Sequence, residues 1–343
     1  MVFVQIDAAL AVVAAVGNGD RRLAGSALAD IQYASVKGCH VKVAILGAGA
    51  VGGYYGALLV RSGQEVTFIA RGAHLAAILD HGLRVESVHG DFELYPVQAS
   101  DDPAQVGPVD LVLVTVKSYS LEDAAEAGRP LVGPETAALP LLNGLDAADR
   151  LAAVWGSRHL LAGLTHISAS MPAPGVIRQV SAVRRITFGE RDGALTPRAE
   201  RIRAMLAASG AEVVLTPAIE VALWEKFLFI ASISGVCCLA RQPMGAVLTS
   251  PETRQLYIKA LREVEAVARA RGVALPPDVV ERTLKTTEGF DPQTRPSLLA
   301  ALESGQRLEL DAMSGTVVRY GREAGVPAPV HAVIYAALKP LAH

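Results

Sequence analysis

Lys226 stands near the start of a strongly apolar stretch, residues 222–240 (ALWEKFLFIASISGVCCLA), whose only charged side chains are Glu225 and Lys226. Burial beside apolar side chains lowers the pKa of a lysine, because it disfavours the charged form. An ammonium group of this kind can donate a proton to a carbonyl oxygen and stabilise the negative charge that develops there. Lys226 is therefore a candidate proton donor. The structural alternative is a lysine that extends from a buried helix to solvent.

The uncharged run that follows Lys226 is too short for a membrane span. It extends from Phe227 to Ala240, which is 14 residues, whereas a spanning helix needs about 20. The run contains two serines and a glycine, and Arg241 follows at once. We expect a buried core helix here and no membrane partner.

A second candidate site is the segment GAGAVG at residues 47–52. Gly47, Gly49 and Gly52 have the spacing G-x-G-x-x-G, between a predicted strand at 41–46 and a predicted helix at 50–62. In this setting the first glycine permits a tight turn, the second lets backbone N–H groups approach a pyrophosphate, and the third allows close helix packing. The segment predicts a dinucleotide-binding loop, with a glycine-rich structural turn as the alternative. The backbone contacts are expected from all six residues: Gly47, Ala48, Gly49, Ala50, Val51 and Gly52.

The residues after the second predicted strand (65–70, EVTFIA) indicate which dinucleotide binds. An NAD site uses an acidic residue here to bind the ribose 2′-hydroxyl, but no acid lies between Val66 and Leu79. Arg71 follows the strand instead, and its guanidinium can pair with a 2′-phosphate. The pattern predicts NADP(H). Alternatively, Arg71 is a solvated loop residue.

Polar residues follow two further predicted strands. Residues 109–116 lead into Lys117, and residues 137–142 lead into Asn143. Each feature alone is ordinary, since a lysine after a strand is usually exposed and Asn-Gly usually forms a turn. Because ligands of open α/β sheets bind beyond the carboxyl ends of the strands, we expect Lys117 and Asn143 to lie above the same crevice.

The elements that would position these residues fall into two groups. Up to Pro217, strand-like runs alternate with helical segments, and the almost uninterrupted apolar run at 109–116 is typical of a parallel sheet covered on both faces. After Pro217 the chain shows only helical spacing, at residues 218–241, 252–272, 276–288, 297–322 and 328–341. We therefore expect an α/β protein with an N-terminal Rossmann-type dinucleotide-binding domain at 41–217 and an all-helical C-terminal domain at 218–343.

Residues 1–40 are expected to be an appendage outside the core. Residues 8–16 (AALAVVAAV) and 26–29 (SALA) imitate an export signal and its cleavage site. However, the first seven residues carry no Lys or Arg and include Asp7, which is the wrong charge for such a signal.

The composition excludes several classes of partner. The chain carries 32 basic and 34 acidic residues and has a net charge of −2, and no stretch concentrates Lys or Arg. Nucleic acid and anionic lipid are therefore not expected as main partners. The three cysteines lack the spacing of a zinc or redox motif, so we expect no metal site.

Over residues 41–342 the sequence resembles the ketopantoate reductases (2-dehydropantoate 2-reductases). The resemblance rests on seven features: ILGAGAVGGYYGALL at 45–59, Arg71, TVKSY at 115–119, LLNGLD at 141–146, PAPGVIRQ at 172–179, LWEKF at 223–227, and Ser297 followed twelve residues later by Glu309 within RLELDAMSG. It implies NADPH-dependent reduction of a 2-oxo acid to a 2-hydroxy acid, by a cytoplasmic enzyme of pantothenate biosynthesis. The resemblance does not determine the oligomeric state, for which a homodimer is one alternative.

The resemblance also implies a role for individual residues. Lys226 corresponds to the general acid that protonates the carbonyl oxygen, and Glu309 corresponds to its carboxylate partner. Ser297 corresponds to a ligand for the substrate carboxylate. Lys117 and Asn143 correspond to residues where nicotinamide and substrate meet.

The sequence departs from the family at two positions expected to contact substrate. Members that make pantoate usually carry asparagines one and two helical turns after the lysine, where this chain has Ile230 and Ser234. Isoleucine cannot donate a hydrogen bond, and serine has a shorter reach. The sequence therefore does not determine which 2-oxo acid is the substrate. One alternative is a paralogous dehydrogenase that acts on a different, more apolar 2-oxo acid. A second alternative is an NADPH-binding sensor or regulatory protein without turnover.

Overall fold

The structure is a computed structural model of the chain and describes residues 41–342. The strands of this part are β1 (Lys42–Leu46), β2 (Glu65–Ile69), β3 (Leu83–Ser87), β4 (Phe92–Leu94), β5 (Gln98–Ser100), β6 (Val109–Val114), β7 (Val132–Pro140), β8 (Leu161–His166), β9 (Ala169–Ala173), β10 (Val176–Gln179), β11 (Arg185–Glu190) and β12 (Glu212–Leu215). The prediction that residues 1–40 form an appendage lies outside the described residues.

The helices of the first half are α1 (Ala50–Arg61), α2 (Gly72–His81), α3 (Pro103–Val106), α4 (Leu121–Ala127), α5 (Ala147–Trp155) and α6 (Pro197–Ala208). Those of the second half are α7 (Ile219–Ala240), α8 (Met244–Thr249), α9 (Pro251–Ala270), α10 (Val279–Glu288), α11 (Ser297–Glu303), α12 (Thr316–Ala324) and α13 (Pro329–Leu338). A short π-helical segment, Asp311–Gly315, leads directly into α12.

The largest sheet is parallel and has the strand order β5-β2-β1-β6-β7. Leu46, the last residue of β1, pairs with Ile69 of β2 on one side and with Val114 of β6 on the other. Since the strands run in one direction and end level, the residues that follow them lie at one edge of the sheet. The glycine loop and the segments after β2, β6 and β7 therefore share this edge.

Both faces of the sheet are covered, and the alternation of side chains along each strand explains how. Ala44 and Leu46 of β1 belong to an apolar cluster that includes residues of α4 and α5. Ile45 points to the opposite face, where it and Phe68 of β2 meet α1 at Gly56. A Cβ at position 56 would collide with both side chains, so this glycine allows α1 to lie close to the sheet.

Two smaller sheets complete the first half, in the orders β4-β3-β10-β9 and β12-β11-β8. The sheet β12-β11-β8 lies beside the largest sheet, because Leu160, just before β8, forms a parallel bridge with Ala138 of β7. Helix α7 packs on β8 and β11, so the strands contact the second half directly.

Helix α7 is the central helix of the second half. Its buried side chains share one apolar cluster with residues of α9, α11 and α13. The helix is 22 residues long, because it begins at Ile219, before Glu225 and Lys226, and includes the whole uncharged run that follows them. By length and composition alone it could cross a membrane, but 61% of its apolar stretch is buried inside the protein. It packs as a core helix.

The prediction of one continuous helix at 297–322 is wrong, because the helix is interrupted in its middle. Helix α11 ends at Glu303, and residues 306–309 have no helical structure. Gly305 adopts a positive φ of 65°, the Gly305 N–H donates to Leu302 O, and the Gln306 N–H donates to Ala301 O. These two bonds and the left-handed glycine form a Schellman helix end. As a result, Glu309 lies in a loop and not on a helix.

The expected fold class is confirmed: an α/β half built on a parallel sheet precedes a helical half. The boundary at residue 217 stays a prediction. It falls between the end of β12 at Leu215 and the start of α7 at Ile219.

Candidate active site

The three glycines of the loop after β1 differ in what surrounds them. Gly47 has a φ of 101°, and a Cβ there would lie 2.8 Å from the Val116 backbone nitrogen. A Cβ at Gly52 would collide with the Gly47 carbonyl oxygen and the Thr115 hydroxyl. A Cβ at Gly49, by contrast, would meet nothing within 4 Å. Gly47 and Gly52 are thus required by the fold, whereas Gly49 borders open space.

This open space lies at the N-terminus of α1. The helix has no side-chain cap at Gly49 and no acidic residue in its first turn. Uncapped N–H groups and the positive end of the helix dipole favour an anion at this position. The residues present therefore fit a dinucleotide pyrophosphate.

His74 holds the glycine loop in place, although sequence reasoning did not single it out. The Gly175 N–H donates to its Nδ1 at 3.0 Å, so Nε2 carries the proton and donates to Ala48 O at 2.7 Å. The ring, which belongs to α2, thereby joins the glycine loop to the turn between β9 and β10. The partners lie 26 and 101 positions away, so no local pattern could have revealed this role.

Arg71 lies where the sequence pattern places it, just after β2 and directly before α2. Its side chain is exposed, and it forms no ion pair with any side chain among residues 41–342. Its guanidinium is therefore free to pair with an anionic ligand.

Lys226 on α7 forms a hydrogen bond with the segment that follows β7. Its Nζ donates to Asn143 Oδ1 at 2.8 Å. Burial lowers the pKa of Lys226 to about 8, and the negative charge of Glu309 opposes this shift more weakly. The Lys226 side chain is partly buried, and with this pKa it remains mostly protonated at pH 7.

Glu309 contacts the segment after β6 and not Lys226. Its Oε2 accepts a hydrogen bond from Lys117 Nζ at 3.0 Å, and its Oε1 accepts one from the Ser118 backbone N–H at 2.9 Å. Close by, the Arg307 guanidinium lies 4.4 Å from the centre of the Tyr119 ring. The loop between α11 and α12 is thus attached to residues 117–119, and Glu309 acts on Lys226 only through its charge.

A small cleft lies between α7, the segment that follows β7, and β8. On the helix side it is lined by residues three or four positions apart, which share one face: Leu223, Lys226, Phe227 and Ile230. The opposite wall consists of Leu142, Asn143, Gly144 and Leu164. The cleft brings together Lys226, Asn143 and Ile230 of the predicted site residues.

Ser234 and Ser297 do not line this cleft. Ser234 is buried on α7, one turn beyond Ile230. Ser297 is the first residue of α11 and is exposed. Neither serine bonds to Lys226 or Asn143 in the part of the chain that the structure describes.

His166, the last residue of β8, is a further titratable neighbour of Lys226. Desolvation of its ring, followed by the positive charges of Lys226 and Arg185, lowers the pKa of His166 to about 4. The ring is therefore neutral at pH 7 and adds no charge to the site. From 41 to 342, no three His, Cys, Asp or Glu side chains lie close enough to hold a metal ion.

Comparison with known proteins identifies the family. Residues 43–193 match the model of the ketopantoate reductase PanE/ApbA family, and residues 218–342 match the model of its C-terminal part. A relative described as an uncharacterised oxidoreductase, YkpB of Bacillus subtilis, is 32% identical, over 87% of this chain and 98% of its own.

Two further relatives carry the name 2-dehydropantoate 2-reductase. The protein from Mesorhizobium japonicum is 28% identical, over 88% of this chain and 98% of its own. The crystal structure of the one from Geobacter metallireducens has a TM-score of 0.83 and 34% identity, over 88% of this chain and 99% of that one. The chain therefore belongs to the ketopantoate reductase family, a family of NADP-dependent oxidoreductases that act on a keto or CH–OH group.

Proposed function

We propose that this protein uses NADPH to reduce 2-dehydropantoate (ketopantoate) or a related 2-oxo acid to the 2-hydroxy acid. When bound, NADPH supplies the hydride that adds to the carbonyl carbon and leaves as NADP⁺. The carbonyl oxygen takes a proton from Lys226. The observation that carries the proposal is the position of Lys226, whose Nζ bonds to Asn143 in an apolar cleft at the strand ends.

The environment of Lys226 suits it to be the general acid. A solvated lysine has a pKa near 10.4 and is a poor proton donor at neutral pH. With a pKa of about 8, Lys226 keeps its proton at pH 7 but gives it up more readily. The neutral amine left after transfer regains a proton from water.

Asn143 orients the ammonium in this proposal. Its Oδ1 accepts the Lys226 hydrogen bond, which fixes the direction of the Nζ–H groups. Its own amide N–H groups are left to donate to the substrate or to the nicotinamide carboxamide. We therefore assign Asn143 to both ligands.

Glu309 supports Lys226 from a distance. Its negative charge favours the protonated ammonium, and its hydrogen bonds hold Lys117 and the Ser118 backbone beside the strand end. We propose that Lys117 contacts the cofactor here. Ser297 and Ser234 stay predicted substrate ligands from the family resemblance, as do pantothenate biosynthesis, a cytoplasmic location and a homodimer.

The phosphorylated form of the cofactor is supported by the residues after β2. The exposed Arg71 guanidinium matches a 2′-phosphate, and no acid stands between Val66 and Leu79 to bind a ribose 2′-hydroxyl. The six residues from Gly47 to Gly52 would hold the pyrophosphate through their backbone and the α1 N-terminus.

The test is to follow NADPH absorbance with a panel of 2-oxo acids for the unmodified protein and for Lys226→Ala. We expect turnover with at least one acid, and a loss in the variant of about 100-fold or more. Lys259→Ala is the matched control, since Lys259 is exposed on α9. Unchanged turnover in Lys226→Ala would remove the assigned role. Tight NADPH binding without consumption of any acid would favour a sensor instead.

A further inference from the structure

The cleft beside Lys226 has an apolar wall where the end of a substrate's carbon chain would lie. Phe227 is almost completely buried, and Ile230 follows Lys226 by one helical turn on the same face of α7. Leu164 of β8 faces them across the cleft. Any substrate group that reaches past the ammonium therefore meets hydrocarbon.

The polar side chains of the cleft wall are rich in hydrogen-bond donors. Among the described residues that line it, Lys226 and Asn143 alone have polar side chains. The Asn143 oxygen accepts one hydrogen bond from the Lys226 ammonium, at 2.8 Å. The remaining N–H groups of Lys226 and Asn143 match the keto and carboxylate oxygens of a 2-oxo acid, which only accept hydrogen bonds.

A substrate hydroxyl that reaches past the ammonium to Phe227, Ile230 and Leu164 has no hydrogen-bonding partner, because these three side chains are hydrocarbon. A hydroxyl moved from water to face Ile230 and Phe227 would lose its hydrogen bonds, which reduces affinity by roughly 5- to 150-fold. A methyl group in the same place gains contact with the wall. The lining of the cleft thus discriminates against the hydroxyl group of 2-dehydropantoate.

We infer that the preferred substrate is a 2-oxo acid with a branched or bulky apolar chain and no hydroxyl on that chain. This inference rests on the proposed function, because it specifies the substrate class of the same site. Ile230 is the residue that sets the preference.

Two substrates that differ by one hydroxyl test the inference. The first is 2-dehydropantoate, and the second is 3,3-dimethyl-2-oxobutanoate, which has the same carbon chain without the hydroxyl. We expect kcat/KM for NADPH oxidation to be about tenfold or more higher for the second. A preference for 2-dehydropantoate would overturn the inference while leaving the proposed reduction intact. No NADPH consumption with either, or with any other 2-oxo acid, would overturn the proposed function itself.

Variants at position 230 identify the residue responsible. Ile230→Asn restores a side chain that can both donate to and accept from a hydroxyl, so we expect the kcat/KM ratio to shift toward 2-dehydropantoate by about tenfold. Ile230→Val is the matched control, since it shortens the side chain but keeps it apolar, and it should preserve the preference of the unmodified protein. The same ratio in all three proteins would contradict the role of Ile230. The comparison of the two substrates on the unmodified protein stands even if the asparagine variant fails to fold.

Discussion

Lys226 and Asn143 are joined by a 2.8 Å hydrogen bond although 83 positions separate them in the chain. The bond connects the central helix of the helical half to the end of a strand in the parallel sheet. Each partner depends on its own half for its position, so the candidate site forms only when both halves have folded. This explains how a helix in the core of one half can present a reactive group to a ligand bound by the other.

The glycine loop provides a pair of matched substitutions. Gly49→Ala adds a methyl group that meets nothing within 4 Å, so the protein should fold normally while the space for the dinucleotide shrinks. We expect NADPH affinity to fall about tenfold or more with little change in melting temperature. Gly47→Ala should instead lower the free energy of unfolding by about 2 kcal/mol or more, because its φ of 101° and the nearby Val116 backbone exclude a side chain. Equal loss of stability in the two variants, by thermal and denaturant unfolding, would contradict this assignment.

His74 can be replaced by a residue that keeps its two bonds. In Gln, an amide N–H can donate to Ala48 O while the amide oxygen accepts from the Gly175 N–H, as the ring does now. We expect the Kd for NADPH to stay near its original value in His74→Gln. In His74→Ala both bonds are lost, and we expect the Kd to rise about tenfold. Quenching of protein fluorescence by NADPH measures both, and two equally weakened variants would argue against a positioning role for the ring.

Arg71 should distinguish the two forms of the cofactor. Arg71→Ala removes the proposed partner of the 2′-phosphate, so the Kd for NADPH should rise roughly tenfold or more. The Kd for NADH should hardly change, because NADH has no phosphate there. The check is a titration of both cofactors against both proteins. A variant that binds NADPH as tightly as the unmodified protein would show that Arg71 is a solvated loop residue.

Lys226 is expected to reduce stability while it supports activity. Its pKa is about 8 in the folded protein, against an ordinary value of 10.5, so the folded state holds the charged ammonium less favourably than the unfolded chain does. Lys226→Met keeps the length of the side chain and removes the charge. At pH 7 we expect the free energy of unfolding to rise by roughly 1–2 kcal/mol, with activity lost.

The pH dependence of that gain follows from the two pKa values. Below about pH 8 the lysine is charged in both states and its burial costs stability in full. As the pH rises from about 8 toward 10.5, the folded protein releases its proton first and the cost disappears. The difference between the two proteins should therefore shrink over this range. Denaturant unfolding at several pH values measures it, and a constant or growing difference would contradict the lowered pKa.

Patterns that are local in sequence predicted much of this molecule. The strands at 42–46, 65–69 and 109–114 and the glycine spacing between the first strand and α1 depend on neighbouring residues only, and the structure has them where the pattern indicates. The end of α11 could also have been predicted from the sequence, because Gly305 is a typical glycine helix stop.

Local sequence patterns could not predict the contact partners of individual side chains. Glu309 bonds to Lys117, 192 positions away, because the chain leaves α11 in a loop that crosses to the end of β6. His74 and Ile230 acquire their surroundings in the same way, from elements that approach only in the folded chain. Residue types and spacing can identify Lys226 and Glu309 as candidate site residues, but they do not determine which side chains each of them contacts.

The central claim is that the proton reaching the substrate comes from Lys226, and the pH dependence of kcat/KM tests it most directly. For the unmodified protein, kcat/KM for reduction should fall above about pH 8, as Lys226 loses its proton. Glu309→Gln removes the negative charge that favours the ammonium, so the fall should move to lower pH. A fall at the same pH in both proteins, or none below pH 10, would contradict the claim.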